Sequence, residues 1–228
     1  MSFALLEPAA DALSELRESV VFLGGATIAL WLTDPAARAP RVTYDVDVIA
    51  VEVTTLSRYE AFQQRLRALD FSEDVESGVI CRWRHLGRGI VLDAVPVDQR
   101  LAGFSGGWLS EAVADPAKIT LPSGARISAV RPPWLIVTKL EAFFDRGGSD
   151  CLSSRDFEDI ITLVDAREEL IDELAALPAT ARQFVGDRVA EILLLPTFAY
   201  GVDGALPGED RGRADAVVIP RFEQLAGL

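Results

Sequence analysis

Two aspartates, Asp45 and Asp47, stand one residue apart at the start of a run of valine, isoleucine and alanine that is typical of a buried strand. Side chains alternate between the two faces of a strand, so both carboxylates are predicted to point the same way. Neighbouring like charges repel each other, and burying either one alone is costly. The pair is therefore expected at a solvent-facing strand end or around a cation, and Mg²⁺, which prefers carboxylate oxygens, fits best.

A third acid, Asp93, lies within the strand-like segment IVLDAVPV. It has the same parity as the valines around it, which puts a lone charge on an apolar face. A metal shared with Asp45 and Asp47 would explain it, and an edge position or a buried pair with an arginine is the alternative. Asp98, just beyond the segment, is a substitute third ligand. Carboxylates on neighbouring strands can hold a pair of metal ions for phosphoryl or nucleotidyl transfer.

Two glycines, Gly24 and Gly25, end the short apolar run VVFLGG ahead of the helix-like segment ATIALWL. A Gly-Gly turn between a strand and a helix lets backbone N–H groups approach a phosphate. Gly-Gly alone is weak evidence, because ordinary tight turns use the same residues. It becomes stronger when Arg41-x-Thr43-x-Asp45-x-Asp47 follows it on a strand.

The remaining pattern indicates a mixed α and β chain. Helical spacing predicts a helix over 5–18, and alternation predicts a strand over 42–53. Two hairpins are expected, one with its turn at 86–89 and a shorter one around 122–124. From residue 131 onward the pattern is helical. We therefore predict an αβ domain over 1–128 and a helical C-terminal domain over 129–228.

Composition limits the possible functions. The chain has 228 residues, half of them apolar, which suffices for one large domain or two small ones. A net charge of −13 argues against broad, non-specific binding to nucleic acid, although a local basic pocket is compatible with it. Two cysteines and one histidine exclude a disulfide framework and a histidine-rich zinc site. The sequence has neither a signal-peptide pattern nor a membrane-length apolar run, which predicts a cytoplasmic protein.

Taken together, Gly24-Gly25-Ala26 and Arg41-x-Thr43-x-Asp45-x-Asp47 resemble the signature of the nucleotidyltransferase superfamily, whose fold is shared with DNA polymerase β. In particular, the chain resembles the AbiEii-type toxin branch and its uncharacterised bacterial relatives. Lys139-Leu140-x-Ala142-x3-Arg146 and Arg155-Asp156-x2-Asp159-Ile160 are similar to the helical motifs of that branch. The resemblance covers roughly residues 18 to 165. It implies an α+β fold, with a nucleotidyltransferase-like mixed sheet flanked by helices and then a mainly helical C-terminal part.

The resemblance also implies roles for individual residues. Asp45, Asp47 and Asp93 would bind Mg²⁺, with Asp93 helping to deprotonate an acceptor hydroxyl. Gly24 and Gly25 would line the phosphates of a nucleoside triphosphate, the co-substrate. Further contacts to the nucleotide are expected from Thr27, Arg41 and Thr43.

In the helical part, Lys139 would reach the triphosphate, and Asp156 would orient it or act near the acceptor. Each has an ordinary alternative. A lysine between apolar helix residues often only extends its charge to solvent, and an acid in the first turn of a helix is stabilised by the helix dipole. Arg41, likewise, could simply pair with Asp45 or Asp47.

The chain is thus expected to be an enzyme, a Mg²⁺-dependent nucleotidyltransferase that moves a nucleoside monophosphate to an acceptor hydroxyl. The acceptor could be tRNA, a protein or a small molecule, and the enzyme could be the toxin of a toxin–antitoxin pair with an antitoxin protein as partner. The densest basic cluster, Arg82, Arg84, His85 and Arg88, could hold an anionic acceptor, or it could be a solvated hairpin.

The rival interpretation is a catalytically inactive member, in which the fold serves as a nucleotide-sensing or protein-binding module. Two residues favour it. Ala26 stands where many nucleotidyltransferases have a serine, and Arg155 replaces the usual lysine before Asp156, which exchanges a point charge for a planar fork.

Overall fold

The computed structural model describes residues 3–102, 107–146, 150–206, 208 and 211–228. They form two compact units. The first, the sheet unit, consists of Met1–Thr27 and Val42–Arg131, and the second, the helical unit, of Ile28–Arg41 and Pro132–Leu228. The chain passes from the sheet unit to the helical unit for the last time between Arg131 and Pro132, close to the predicted boundary at 128. The segment Ile28–Arg41 precedes that boundary but belongs to the helical unit.

The described residues of the sheet unit contain one seven-stranded mixed sheet, in the order β3-β4-β5-β2-β1-β7-β6. Strand β2 pairs in parallel with β5, and β1 pairs in parallel with β7, whereas the other neighbours are antiparallel. The strands are β1 Val20–Leu23, β2 Val46–Ala50, β3 Phe71–Glu73, β4 Arg82–His85, β5 Val91–Pro96, β6 Ala117–Thr120 and β7 Arg126–Ala129.

Both predicted hairpins are confirmed, as β4–β5 and β6–β7. In the first, Trp83 lies opposite Leu92, and both side chains are fully buried. Because direct partners on antiparallel strands share a face, this pair fixes the register and sends their neighbours to the other face. The register of the β4–β5 hairpin is therefore set by its core residues.

The strand predicted over 42–53 is shorter in the structure, where β2 covers Val46–Ala50. Val42 and Tyr44 continue the alternation toward the N-terminus, yet they are 73% and 75% exposed. Alternation alone does not make a strand, because a strand also needs a partner for its backbone groups. Asp45 consequently lies just before β2 rather than within it.

The predicted N-terminal helix ends early. Helix α1 covers Leu6–Leu13 and is followed by a 3₁₀ turn over Ser14–Ser19, with Ser14 at a φ of 48°. ATIALWL also forms a 3₁₀ helix, over Gly25–Leu30, instead of an α-helix. The other α-helices of the sheet unit are α2 Leu56–Ala68 and α3 Leu109–Ala112.

The helical unit is built around a cluster of phenylalanine rings. Phe157 of α5 packs against Phe143, Phe198 and Phe222, with ring centroids 5.9, 6.1 and 6.0 Å away. Ser154 caps α5 by accepting a hydrogen bond from the Phe157 amide at 3.2 Å. The helices are α4 Pro132–Asp145, α5 Arg155–Ala166, α6 Leu170–Ala175, α7 Ala179–Leu193, α8 Phe198–Ala205, α9 Arg211–Arg213 and α10 Ile219–Leu225, with a π-helical turn at Ala214–Val218.

The predicted α+β class is confirmed, since a mixed sheet with flanking helices precedes a mainly helical C-terminal part. Within the described ranges, no helix combines the length and the apolar character needed to cross a membrane.

Candidate functional site

Three charged residues form a row across the middle of the sheet. Asp47 on β2 is the register partner of Asp93 on the parallel strand β5. Asp93 is in turn the partner of Arg82 on the antiparallel strand β4. Register partners on paired strands project from the same face, so these side chains are neighbours. Asp98, the substitute third acid, is not in this register and pairs with the exposed Arg100 instead.

Arg82 ties two of the predicted metal ligands together. Its Nε and Nη2 donate hydrogen bonds to the two carboxylate oxygens of Asp93, both at 2.7 Å. Nη2 also donates to Oδ2 of Asp45 at 2.8 Å. The other Asp45 oxygen accepts a hydrogen bond from the Thr43 hydroxyl at 3.0 Å. The two-pronged contact with Asp93 matches the fork of a guanidinium to a carboxylate, a geometry that lysine cannot provide.

The neighbouring carboxylates affect the pKa of Arg82. The hydrogen bond to Asp93 raises the pKa of Arg82 well above its usual value despite the opposing effect of burial, and the charges of Asp93, Asp45 and Asp47 add to the increase. One guanidinium faces three carboxylates, so the cluster remains formally anionic. We call Asp45, Asp47, Asp93 and Arg82 the carboxylate–arginine cluster.

The pairing of Asp93 with an arginine was one of the alternatives open from the sequence, but Arg82 was not identified as the partner. The sequence did contain the information needed to identify Arg82 as the partner. A hairpin that turns at 86–89 brings residue 82 opposite residue 93, and both then lie on one face. Asp45 could not be found in this way, because it lies outside the strand.

Gly24 closes the other side of the cluster. Its φ is +73°, a conformation that favours glycine, and a Cβ built there would lie 2.0 Å from Oδ2 of Asp47. Glycine is thus favoured at this position for two reasons, because other residues rarely adopt this backbone conformation and because a side chain would collide with the Asp47 carboxylate. Thr27 is fully buried, and both its amide and its hydroxyl donate to the Gly24 carbonyl, at 3.1 and 2.9 Å. This places the Thr27 hydroxyl in the turn itself.

The donor set suits a hard divalent cation. Asp45, Asp47 and Asp93 offer carboxylate oxygens, the ligands that Mg²⁺ prefers, and the missing side chain of Gly24 lets the Asp47 carboxylate lie against the turn. As the side chains are arranged, however, two of the three acids are turned toward Arg82. In the part of the chain that the structure describes, no three His, Cys, Asp or Glu side chains form a ready metal-ligand group.

A second charge cluster lies within the helical unit and contains Lys139 and Asp156. The Lys139 ammonium bonds Oδ1 of Asp156 at 2.9 Å and contacts Oδ2 of Asp159 at 2.8 Å. Arg41 donates to both oxygens of Asp159, at 2.8 and 3.0 Å. The Asp159 side chain is 1% exposed, so two cations neutralise one buried carboxylate.

The alternative of a pair between Arg41 and Asp45 or Asp47 is wrong, because Arg41 pairs with Asp159. Burial lowers the pKa of Arg41, but the hydrogen bond to Asp159 and the charges of the nearby acids raise this pKa by more, so that it lies above its usual value. Asp156 lies in the first turn of α5, as the helix-dipole alternative requires, and it also binds Lys139 and Arg146. The Arg146 side chain is largely exposed.

The arginines of the β4–β5 hairpin do not form one basic patch. Arg82 belongs to the carboxylate–arginine cluster, Arg84 pairs with Asp74, and Arg88 pairs with Asp11. Each positive charge of the predicted cluster thus has its own acidic partner.

A cavity of about 440 Å³ lies beside β4 in the sheet unit. Arg82 and the buried Trp83 line it, together with Tyr59 and Cys81, whose hydroxyl and sulfur are 3.3 Å apart. Burial raises the pKa of both the Tyr59 hydroxyl and the Cys81 thiol, so both stay protonated near neutral pH.

Comparison with known proteins identifies the fold. No family model matches the chain, and no curated protein matches it. Among solved structures, it is similar to an antigenic nucleotidyltransferase-like protein from Paracoccidioides brasiliensis, with 18% identity and a TM-score of 0.53. The match covers 89% of this chain and 92% of that one. At this identity the likeness shows a shared fold, and the predicted nucleotidyltransferase-like architecture is confirmed.

Proposed function

We propose that the protein is a Mg²⁺-dependent nucleotidyltransferase that moves a nucleoside monophosphate from a nucleoside triphosphate to an acceptor hydroxyl. One observation carries the proposal. On a sheet of this fold, Asp47 and Asp93 are register partners, Asp45 is joined to Asp93 through Arg82, and the Asp47 carboxylate lies where a side chain at Gly24 would begin. An ordinary solvated strand end does not require acids on two neighbouring strands beside a glycine in that conformation.

In the proposed reaction, the acceptor oxygen forms a bond to the α-phosphorus while the bond from that phosphorus to pyrophosphate breaks. Asp93 accepts the hydroxyl proton, directly or through water, and pyrophosphate leaves with its electron pair. Bound Mg²⁺ would neutralise charge on the phosphates and lower the pKa of the acceptor hydroxyl. Asp45, Asp47 and Asp93 would hold it. Catalysis would rest mainly on positioning and charge neutralisation.

The finer parts of the proposal follow from the resemblance of the motifs. The acceptor is tRNA, a protein or a small molecule, and the protein acts in the cytoplasm as an AbiEii-type toxin with an antitoxin partner. Gly24 and Gly25 contact phosphate in this scheme, Lys139 binds the triphosphate, and Asp156 orients it or acts near the acceptor. Thr27, Arg41 and Thr43 support the nucleotide site.

The test is transfer of label from α-³²P-labelled nucleoside triphosphates and Mg²⁺ to total RNA, total protein or a panel of hydroxylated small molecules. We expect the wild type to label one class of acceptor and the double variant Asp45→Asn/Asp47→Asn to label none. Asp98→Asn is the control, because Asp98 also lies beside a strand end and pairs with an arginine, yet lies outside the row. Full labelling by the double variant would refute the proposal that these aspartates catalyse nucleotidyl transfer.

A second candidate function is a non-catalytic module with the same fold. The observation that favours it is the guanidinium of Arg82, which satisfies two of the three acids without a metal. Such a module would bind a nucleotide or a protein without transfer. Thermal shift with each nucleoside triphosphate and Mg²⁺ separates the candidates when it is combined with the labelling assay. A shift without any labelled acceptor favours the module, and labelling favours the enzyme.

A further inference from the structure

We propose that Arg82 is the resident counter-cation of the metal site, so that its guanidinium and a divalent cation occupy the carboxylates of Asp45 and Asp93 alternatively. The inference rests on the proposed function for the identity of the metal site. It goes further by assigning Arg82, which the resemblance does not name, as the residue that sets how tightly the metal binds.

The contacts of Arg82 carry the first step. The guanidinium covers both oxygens of Asp93 and one oxygen of Asp45, at 2.7 to 2.8 Å. Metal ligation uses the same carboxylate oxygens. A cation bound to both acids would therefore compete with Arg82 for these acceptor oxygens.

Burial carries the second step. The Arg82 and Asp93 side chains are 20% and 13% exposed, so solvent screens their pairing only partly. Without a positive charge, three acids that lie side by side would repel one another at a site that is only partly exposed to solvent. The guanidinium thus stabilises the metal-free cluster, and this stabilisation must weaken the apparent affinity for a metal by the same free energy.

The surroundings of Arg82 carry the third step. Its side chain is 20% exposed and that of Asp45 is 31% exposed, so this ion pair borders solvent. When a metal takes the carboxylates, the guanidinium can therefore turn toward solvent. Displacement requires a side-chain rotation and no rearrangement of the sheet.

The neighbouring strand residue Arg84 is a built-in control. It lies two positions from Arg82 on β4 and also forms a short ion pair, with Asp74 at 2.6 Å. Its partner is outside the carboxylate–arginine cluster. Removing Arg84 changes the net charge of the protein by the same amount as removing Arg82, so any general electrostatic effect on metal binding appears in both variants.

The experiment measures Mn²⁺ binding to the full chain by isothermal titration calorimetry, with Mg²⁺ competition, for the wild type, Arg82→Gln and Arg84→Gln. We expect Arg82→Gln to bind Mn²⁺ more tightly than the wild type by about tenfold or more, and Arg84→Gln to remain within about twofold. We also expect Mn²⁺ to raise the Tm of Arg82→Gln more than that of the wild type, because the metal replaces the missing charge. Adding Asp45→Asn/Asp47→Asn to Arg82→Gln should abolish the gain.

Equal affinity in Arg82→Gln and the wild type, or an equal gain in Arg84→Gln, would overturn the inference. If Arg82→Gln does not fold, Arg82→Lys decides. It keeps the charge but loses the fork, so tighter Mn²⁺ binding than in the wild type supports the inference, and unchanged or weaker binding overturns it.

The labelling assay makes the two proposals separable. Tight, carboxylate-dependent Mn²⁺ binding by Arg82→Gln without any labelled acceptor would preserve the role of Arg82 and refute the transferase. Labelling by the wild type with no affinity gain in Arg82→Gln would preserve the transferase and refute the role of Arg82.

Discussion

Replacing Gly24 by alanine tests the geometry at the centre of the site. The new methyl group would meet Asp47, with its Cβ 2.0 Å from Oδ2, 2.8 Å from Cγ and 3.1 Å from Cβ of that residue. Real Cβ atoms do not approach other atoms so closely, so the Asp47 side chain or the turn must move. Gly78 offers a matched control, because its φ of +67° is similar to the +73° of Gly24, and a Cβ there would have nothing within 4 Å.

The expected cost has two parts. A non-glycine residue in the left-handed region costs about 1–2 kcal/mol, and both variants should lose this amount. Forcing an extra carbon into an occupied space costs about 1–3 kcal/mol more, and only Gly24→Ala should lose it. The difference in the free energy of unfolding between the two variants therefore measures the contact with Asp47, free of the backbone term.

Urea unfolding followed by tryptophan fluorescence, with linear extrapolation to water, gives both free energies of unfolding. Gly24→Ala should be less stable than Gly78→Ala by about 1–3 kcal/mol. The Mn²⁺ affinity should also fall in Gly24→Ala and stay unchanged in Gly78→Ala, because only the first displaces a proposed ligand. Equal stability of the two variants would refute the reasoning and show that the turn relaxes without moving Asp47.

Three further predictions concern charges and thiols. Asp159→Asn should lower the free energy of unfolding, measured in urea, by about 3–5 kcal/mol, because two partly buried cations, Arg41 and Lys139, lose the carboxylate that they share. The control Glu191→Gln removes an exposed ion pair and should lower it by about 1 kcal/mol or less. Burial raises the pKa of Asp165, and the hydrogen bond from Arg213 opposes this rise. A carboxyl group whose pKa is higher in the folded than in the unfolded state costs stability as pH rises through the folded value. Arg213→Gln removes this hydrogen bond and raises the pKa of Asp165 in the folded state further. The variant should therefore lose more stability at about pH 7 than at about pH 4. An equal loss at both pH values would contradict the role of Arg213 in lowering the pKa of Asp165. Cys81, buried and with a raised pKa, should react with iodoacetamide at about pH 8 far more slowly in the folded protein than in urea, as mass spectrometry will show.

The predicted elements that depend on short-range patterns were recovered well. The turn residues at 86–89 and the alternation on either side were enough to predict the β4–β5 hairpin, because a hairpin joins neighbouring segments. The same holds for the shorter hairpin β6–β7. The N-terminal helix was predicted too long, since helical spacing of apolar residues does not reveal where the backbone of Ser14 leaves the helical region.

The partners of the charged side chains were harder to predict. Asp93 and Asp47 became neighbours because β2 and β5 pair in parallel, which no local pattern specifies. Arg41 illustrates the difficulty, because its position before two aspartates suggested a local pair, yet its carboxylate partner is 118 residues away in the chain. An ion pair is chosen by proximity in space, and sequence distance carries little information about it.

The sequence by itself determined where the acids, the glycine turn and the hairpins lie along the chain, because each of these follows from the chemistry and periodicity of a few adjacent residues. The tertiary structure alone decided that Arg82, 37 residues beyond Asp45, pairs with two acids of the proposed metal site. It also decided that Asp159 rather than a strand aspartate holds Arg41. The physical reason is that a charge in a partly buried site is satisfied by whatever group the packing of distant segments brings within reach.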